Sequence, residues 1–316
     1  MNFLRDSARN KEKRLTNMIS KKYAYILLVL ANMIWGGNFV IGRIAGDYLP
    51  PITFSLLRWL IAFLFLTPFL IKKLKADLKI LWSHKWVLLF LTVTGISGYN
   101  TIIYFALHYT TSINASVVNS TTPMFIAVFS VFILKERLSL IQAAGIGLSI
   151  LGIVFILSKG SIESLETLSF NMGDLFVLVA VICWSLYSII IKKYSTILPA
   201  FTTLYVTSFL GVIILFPLSM FELNQPGVSV LFTPNSILIL FYVGILASIV
   251  AFLSWNSGVS IVGAAKSGIF LNLLPVFAAL FATTFTKESL LWYQIIGGCI
   301  VIIGVLLSSK TSPKVN

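Results

Sequence analysis

The chain has 316 residues, 58% of them hydrophobic and 10% charged, with a formal net charge of +13 and a mean hydropathy of +0.97. Soluble domains run at about 45–50% apolar and about 25% charged, so a water-covered globule is excluded and an integral membrane protein is required. The basic residues cluster in short segments between apolar runs, which is how helices are oriented in a bilayer, and no nucleic-acid partner is implied.

In chain order, residues 1–22 read as a basic, unstructured cytoplasmic tail. The run "YAYILLVLANMIWGGNFVIG" from Tyr23 is too long for a signal-peptide core and has no small-residue cleavage site, so it is a retained span. A spanning helix needs about 17–25 apolar residues. On that scale ten are predicted, at 23–45, 52–71, 85–107, 112–134, 139–158, 173–192, 200–221, 236–257, 263–285 and 290–308. The connections are short, which favours antiparallel neighbours; residues 159–172 form a longer external linker and 309–316 a second cytoplasmic tail. Cys183 and Cys299 lie inside apolar runs without CxxC spacing or a nearby histidine, and read as buried thiols acting as small hydrophobes.

Lysine and arginine set the orientation. Seven lie in the N-terminal tail, and Lys72, Lys73, Lys75, Lys79 and Lys85 lie between the second and third runs. Lys135, Arg137, Lys192, Lys193, Lys310 and Lys314 fall on the same face of a ten-helix topology. The opposite face holds Lys159 and Lys287, with Arg43 near it, and collects Asp47, Glu163, Glu166, Asp174, Glu222 and Glu288. Both termini are therefore expected in the cytoplasm.

A repeat organises the whole chain. From Pro123 to Gly152, eleven of thirty positions are identical to those 152 residues later, among them Pro123/Pro275, Lys135/Lys287, Glu136/Glu288, Gln142/Gln294 and Gly145/Gly297. Nearer the start of each half, Trp35 aligns with Trp184 and Arg43 with Lys192 at an offset of 149. Apolar bias alone does not bring proline, a Lys-Glu pair, glutamine and glycine into register. Five spans per copy is an odd number, so residues 173–308 must enter the membrane from the side opposite to 23–158. The expected fold is all-α: ten transmembrane helices in two inverted five-helix repeats, as in secondary transporters.

At these residues the chain resembles the drug/metabolite transporter superfamily, EamA type. The resemblance rests on Trp35, Gly36 and Phe39 in the first run, Arg58 in the second, Pro123 in the fourth, and Leu134, Glu136, Gln142 and Gly145 across the following turn. Pro275, Glu288, Gln294 and Gly297 reproduce the later part, whereas Trp184 is followed by Ser185 rather than glycine. It covers residues 23–308 and implies a transporter of amino acids, metabolites or drugs, more often an exporter than an importer.

Pro123 and Pro275 lie near mid-span. Each removes a helix hydrogen bond and frees the carbonyl four residues earlier, that of Asn119 or Leu271, beside the polar residues Asn119 and Asn272. Proline-interrupted segments at matching positions of two halves point to a transporter's binding site, although a kink that only shapes packing has the same pattern. Trp35 and Trp184 lie away from the interface that tryptophan prefers, either as an aromatic wall for substrate or as bundle packing. Asn38, Tyr99, Asn100, Tyr104, Tyr187, Trp255 and Asn256 complete a candidate lining of amides, hydroxyls and rings, suited to a neutral or zwitterionic metabolite. Intramembrane charge is costly; Arg58 and Lys266 both lie near helix ends and are expected to snorkel to the interface, and of the two Lys266, among small residues, is the better placed to meet a substrate carboxylate.

No Asp or Glu falls in the middle of a span, so uniport or exchange driven by the substrate gradient is expected rather than proton antiport. The spans hold no nucleophile–base pair, carboxylate pair or metal-ligand set, which argues against an intramembrane enzyme, and no cofactor is implied. Gly145, Gly147 and Gly152, with Gly297, Gly298 and Gly304, allow close helix packing inside the chain or in a homodimer. The competing readings are an importer of a nucleotide-derived or sugar metabolite, and a channel or non-transporting membrane partner.

Overall fold

The computed structural model describes residues 2–133, 139–161, 171–262, 267–268 and 270–308, and in them all regular structure is helical. The helices are α1 (Asn2–Ala45), α2 (Pro51–Ser83), α3 (Lys85–Ala106), α4 (Ser112–Ile133), α5 (Leu140–Leu157), α6 (Met172–Tyr194), α7 (Ala200–Leu223), α8 (Pro234–Val262), α9 (Leu273–Phe285) and α10 (Trp292–Ser308). Among the described residues eight contain stretches long and apolar enough to cross a membrane, while α9 and α10 are shorter apolar helices. The chain is a multi-pass membrane protein.

Two stretches expected outside helices are helical. The N-terminal segment continues as one helix from Asn2, because neither proline nor glycine occurs before Gly36. The lysine-rich connection after residue 71 prolongs α2 to Ser83 for the same reason. Lys135 and Glu136 lie outside the described residues. Cys183 and Cys299 are both free, and Cys299 is exposed on the outer surface instead of buried.

The two halves interlock. The most extensive contacts pair α5 with α10 and α2 with α7, which are equivalent helices of the two repeats. α1 packs on α8 and α9, and α6 packs on α3 and α4. Each half thus lends its first helix to the other half's third and fourth. The α5–α10 seam uses the glycines: a Cβ on Gly152 would stand 2.7 Å from Val301 Cγ2, and one on Gly304 would stand 2.4 Å from Ser149 Oγ. Gly152 and Gly304 are spent within the chain, whereas the position of Gly147 has open space beside it. Gly36 plays the same part at the α1–α9 contact, where a Cβ would meet Phe277 Cβ at 2.6 Å.

The motif glutamines are caps. Gln142 Oε1 accepts from Ser139 N–H at 2.8 Å, and Ser139 Oγ accepts from Gln142 N–H, closing a capping box at the start of α5. Gln294 Oε1 accepts from Leu291 N–H at 2.9 Å in the matching place before α10.

Candidate functional site

Two helices depart from α geometry at corresponding positions. Thr92–Gly98 in α3 and Tyr242–Val250 in α8 are π-helical, with Tyr99 N–H bonded to Thr94 O and Ala251 N–H to Leu246 O, each five residues back. Both pairs are related by the repeat offset of 152. A helix that returns from five-residue to four-residue bonding passes over a carbonyl, and such bulges are frequent at functional sites. Here the carbonyls near the bulges receive side chains. In α8, Ala247 O accepts from Trp35 Nε1 at 3.1 Å and from Arg58 Nη2 at 3.3 Å. In α3, Ile96 O accepts from Trp59 Nε1 at 3.0 Å, and Gly95 O from Asn100 Nδ2 at 2.9 Å.

An aromatic cluster fills the space between the two bulges. Trp35 and Trp184 meet edge to face at 5.5 Å, Trp35 also touches Phe252 and Trp255, and Trp184 touches Tyr99, Tyr187 and Phe252. Such geometries add about 0.5–1.5 kcal/mol per pair beyond burial. Beside the cluster is a cavity of about 20 Å³ lined by Trp35, Asn38, Tyr99, Asn100, Asn119 and Trp184, with Phe39, Phe252, Leu271 and Leu274. That space admits about one water. A second cavity, of about 100 Å³, lies on the far side of Tyr187, between α3, α6, α7 and α8, with Tyr194, Ser195, Thr203, Thr207, Asn256 and Ser260 in its walls. It lies towards the lysine-rich end of the bundle.

Six of the candidate residues therefore line the central cavity, and Tyr187 and Asn256 line the second. Trp255 touches Trp35, and Tyr104 stands behind Asn38, donating to its Oδ1 at 2.9 Å. Pro123 and Pro275 are buried but line neither cavity; they break the helices so that Asn119 and Leu271 reach the centre. The carbonyl of Asn119, freed by Pro123, is taken by Thr122 Oγ1 at 2.6 Å. Asn272 is buried, and among the described residues neither of its amide atoms has a hydrogen-bond partner. Lys266 lies outside the described residues.

Arg58 contradicts its sequence expectation. It does not snorkel: it is fully buried, with Nε on Ser248 Oγ at 2.5 Å, Nη1 on Tyr104 Oη at 2.5 Å, and its guanidinium 5.1 Å from the Trp59 ring. Neutral acceptors from α1, α3 and α8 hold it, because the α8 bulge presents Ala247 O and Ser248 together. Sequence offered no signal for those partners, since a π-turn has no motif of its own.

Glu288 was also understated by sequence, where the Lys-Glu pairs are marks of symmetry. Lys287 takes a left-handed conformation (φ 54°) and turns the chain after α9. The Glu288 carboxylate then accepts from Ser112 N–H at 3.2 Å and Ile113 N–H at 3.1 Å at the start of α4, and pairs with Arg43 Nε at 3.4 Å. Arg43 also bonds Thr110 O, and Asp174 accepts from Thr110 Oγ1 and Asn114 Nδ2. Glu222 caps α2 through Ile52 N–H and Thr53 N–H. The acidic end of the bundle is thus tied across both halves. At the other end, Thr202 Oγ1 donates to Asp77.

Known proteins place this architecture. Residues 22–158 and 171–310 each match the EamA-like transporter family. An uncharacterized transporter of Bacillus subtilis (strain 168), YyaM, is 28% identical, the alignment covering 92% of this chain and 96% of that one. A second from the same organism, YetK, is 29% identical over 94% and 90%, and an uncharacterized transporter of Archaeoglobus fulgidus is 29% identical over 90% and 96%. A protein of known crystal structure superposes with a TM-score of 0.62 at 18% identity over 91% of this chain and 97% of that one, a likeness of fold alone. The chain belongs to the EamA-like transporter family of the drug/metabolite transporter superfamily, and it is a membrane transporter, not an enzyme.

Proposed function

We propose that this transporter exports a small amphipathic metabolite, an amino acid or related compound or a drug-like solute, across a bacterial plasma membrane by alternating access. In this reading ten helices cross the bilayer as two inverted repeats, 23–158 and 173–308, with both tails cytoplasmic. The observation that carries it is the aromatic and amide-lined cavity between the two π-bulges, drawn from helices of both halves. Reciprocal packing of α1 and α6 on the opposite half supports two bodies able to exchange roles. The acidic end, external in this topology, is tied shut by Glu288, while the second cavity lies toward the cytoplasm, where an exported solute would load. The sequence repeat relates Arg43 and Glu288 to Lys192 and Glu136, the residues that would tie the cytoplasmic end in the opposite state. Partners are the solute and the lipid bilayer; a homodimer would use surfaces other than the α5–α10 seam.

Vesicle counterflow tests it. Purified protein in vesicles loaded with a panel of amino acids, carboxylates, amides and cationic dyes is expected to exchange at least one class with labelled external solute. Trp184→Ala is expected to slow that exchange tenfold or more. If nothing in the panel moves, the reading fails.

A further inference from the structure

Arg58 is wholly buried, and no carboxylate pairs with it among the described residues. Its hydrogen bonds go to Ser248 Oγ, Tyr104 Oη, Asn38 Oδ1 (3.5 Å, the long limit) and Ala247 O, all neutral. Those bonds occupy four of five N–H groups. Neutral acceptors do not offset the desolvation of a full charge as a counter-ion does, so the guanidinium is a buried positive charge that no carboxylate among the described residues neutralises.

The surroundings say where an anion would go. A guanidinium only donates, so Asn38 must turn its carbonyl oxygen to Arg58 and Tyr104. Its Nδ2 is left for the central cavity, which Asn38 lines. Asn119, also in the lining, has its Oδ1 taken by Tyr99 Oη at 3.1 Å, which leaves its Nδ2. Trp184 lines the same space, and its Nε1–H makes no hydrogen bond among the described residues. Three residues that line the cavity thus each keep a side-chain N–H donor uncommitted among the described residues, and the Arg58 charge lies one hydrogen bond behind Asn38. Among the lining residues none is acidic. Asn100 points the other way chemically: its Nδ2 is held by Gly95 O and Ile96 O, leaving its Oδ1 as an acceptor.

We propose that the Asn38–Asn119–Trp184 donor cluster, backed by Arg58, is a carboxylate-binding subsite, and that the transported solute is a monocarboxylate. This rests on the central cavity being the solute site, and it narrows the substrate class proposed above. One guanidinium balances one carboxylate; a phosphate monoester would bring a second, uncompensated charge. An α-amino acid would use both ends, its carboxylate at the donors and its ammonium at Asn100 Oδ1. Arg58 acts through Asn38 and is a positioning residue for the site's charge.

The test is counterflow in vesicles with matched pairs: the common amino acids and alkyl and aryl monocarboxylates, each beside its primary amide. Wild type is expected to favour the acid over the amide at least tenfold for the solutes it carries. Asn38→Asp places a carboxylate on Arg58 from within. It is expected to unfold at or above the wild-type temperature, because the buried charge is now paired, yet to lose acid transport tenfold or more. Arg58→Gln, if it purifies folded, is expected to carry acid and amide within twofold of each other. Wild-type transport of amides as fast as acids, or a smaller loss in Asn38→Asp, overturns the assignment while leaving the transporter reading intact. Movement of neither acids nor amides, with other solutes exchanging, has the same meaning. Movement of nothing at all overturns both.

Discussion

Removing the Glu288 carboxylate is expected to open the acidic end. In Glu288→Ala, Ser112 N–H and Ile113 N–H lose the acceptor that holds them at 3.2 and 3.1 Å. Losing a helix cap costs about 0.5–2 kcal/mol. The ion pair to Arg43, whose side chain is 38% exposed, adds at most about 1 kcal/mol after screening. A total of about 2 kcal/mol shifts the closed-to-open ratio up to about 30-fold. The assay is labelling by a membrane-impermeant maleimide of Ser116→Cys, a fully buried position one turn into α4, with Cys183 and Cys299 replaced. External labelling should accelerate about 10–30-fold in Glu288→Ala and about fivefold in Glu288→Gln, which keeps one acceptor. Simple destabilisation would also raise that rate, so a second reporter is needed at Thr203→Cys, in the cavity toward the lysine-rich end. Its labelling from the cytoplasmic side should fall as the external rate rises. Parallel increases at both reporters, or no change at Ser116→Cys, would refute the latch.

Three further outcomes are expected. Gly152→Leu should lower the thermal unfolding midpoint by the equivalent of about 1–3 kcal/mol, because the nearest atoms include Val301 N at 2.9 Å and Gly297 O at 3.0 Å, backbone that cannot give way. Gly147→Ala, with nothing within 4 Å of the new methyl, should be neutral or raise the midpoint by up to about 1 kcal/mol through helix propensity. A reporter fused after Asn316 should read as cytoplasmic; a periplasmic signal would invert the assignment of Glu288 to the outer face.

Periodicity and charge made the membrane class, the helical fold and the repeat legible, because a bilayer demands long apolar runs and a duplication keeps its prolines and caps. The same cues misjudged the connection after residue 71: lysines mark a membrane boundary but do not end a helix. Trp35, Trp184 and the asparagines were identifiable as polar or aromatic residues out of place in a span. Arg58 was not, because its distance from the helix start suggested snorkelling, and its burial depends on acceptors in α8 that lie 189 and 190 positions away. Glu288 shows the same limit, with its acidic identity visible but its partners on α1 and α4 a matter of tertiary geometry.

The twin π-turns carry a consequence for chain length. A single residue removed from a regular span turns everything beyond it by about 100° relative to the rest. Inside Tyr242–Val250 the helix already holds one residue more than α geometry needs, so a one-residue deletion there can be absorbed as the turn tightens. Trp255 and Asn256 would keep their faces, while Ala247 O would be drawn back into the helix and lost to Trp35 and Arg58. The α8 turn is thus a place where the protein can lose a residue without losing its bundle, and where doing so disconnects the first two helices from the eighth.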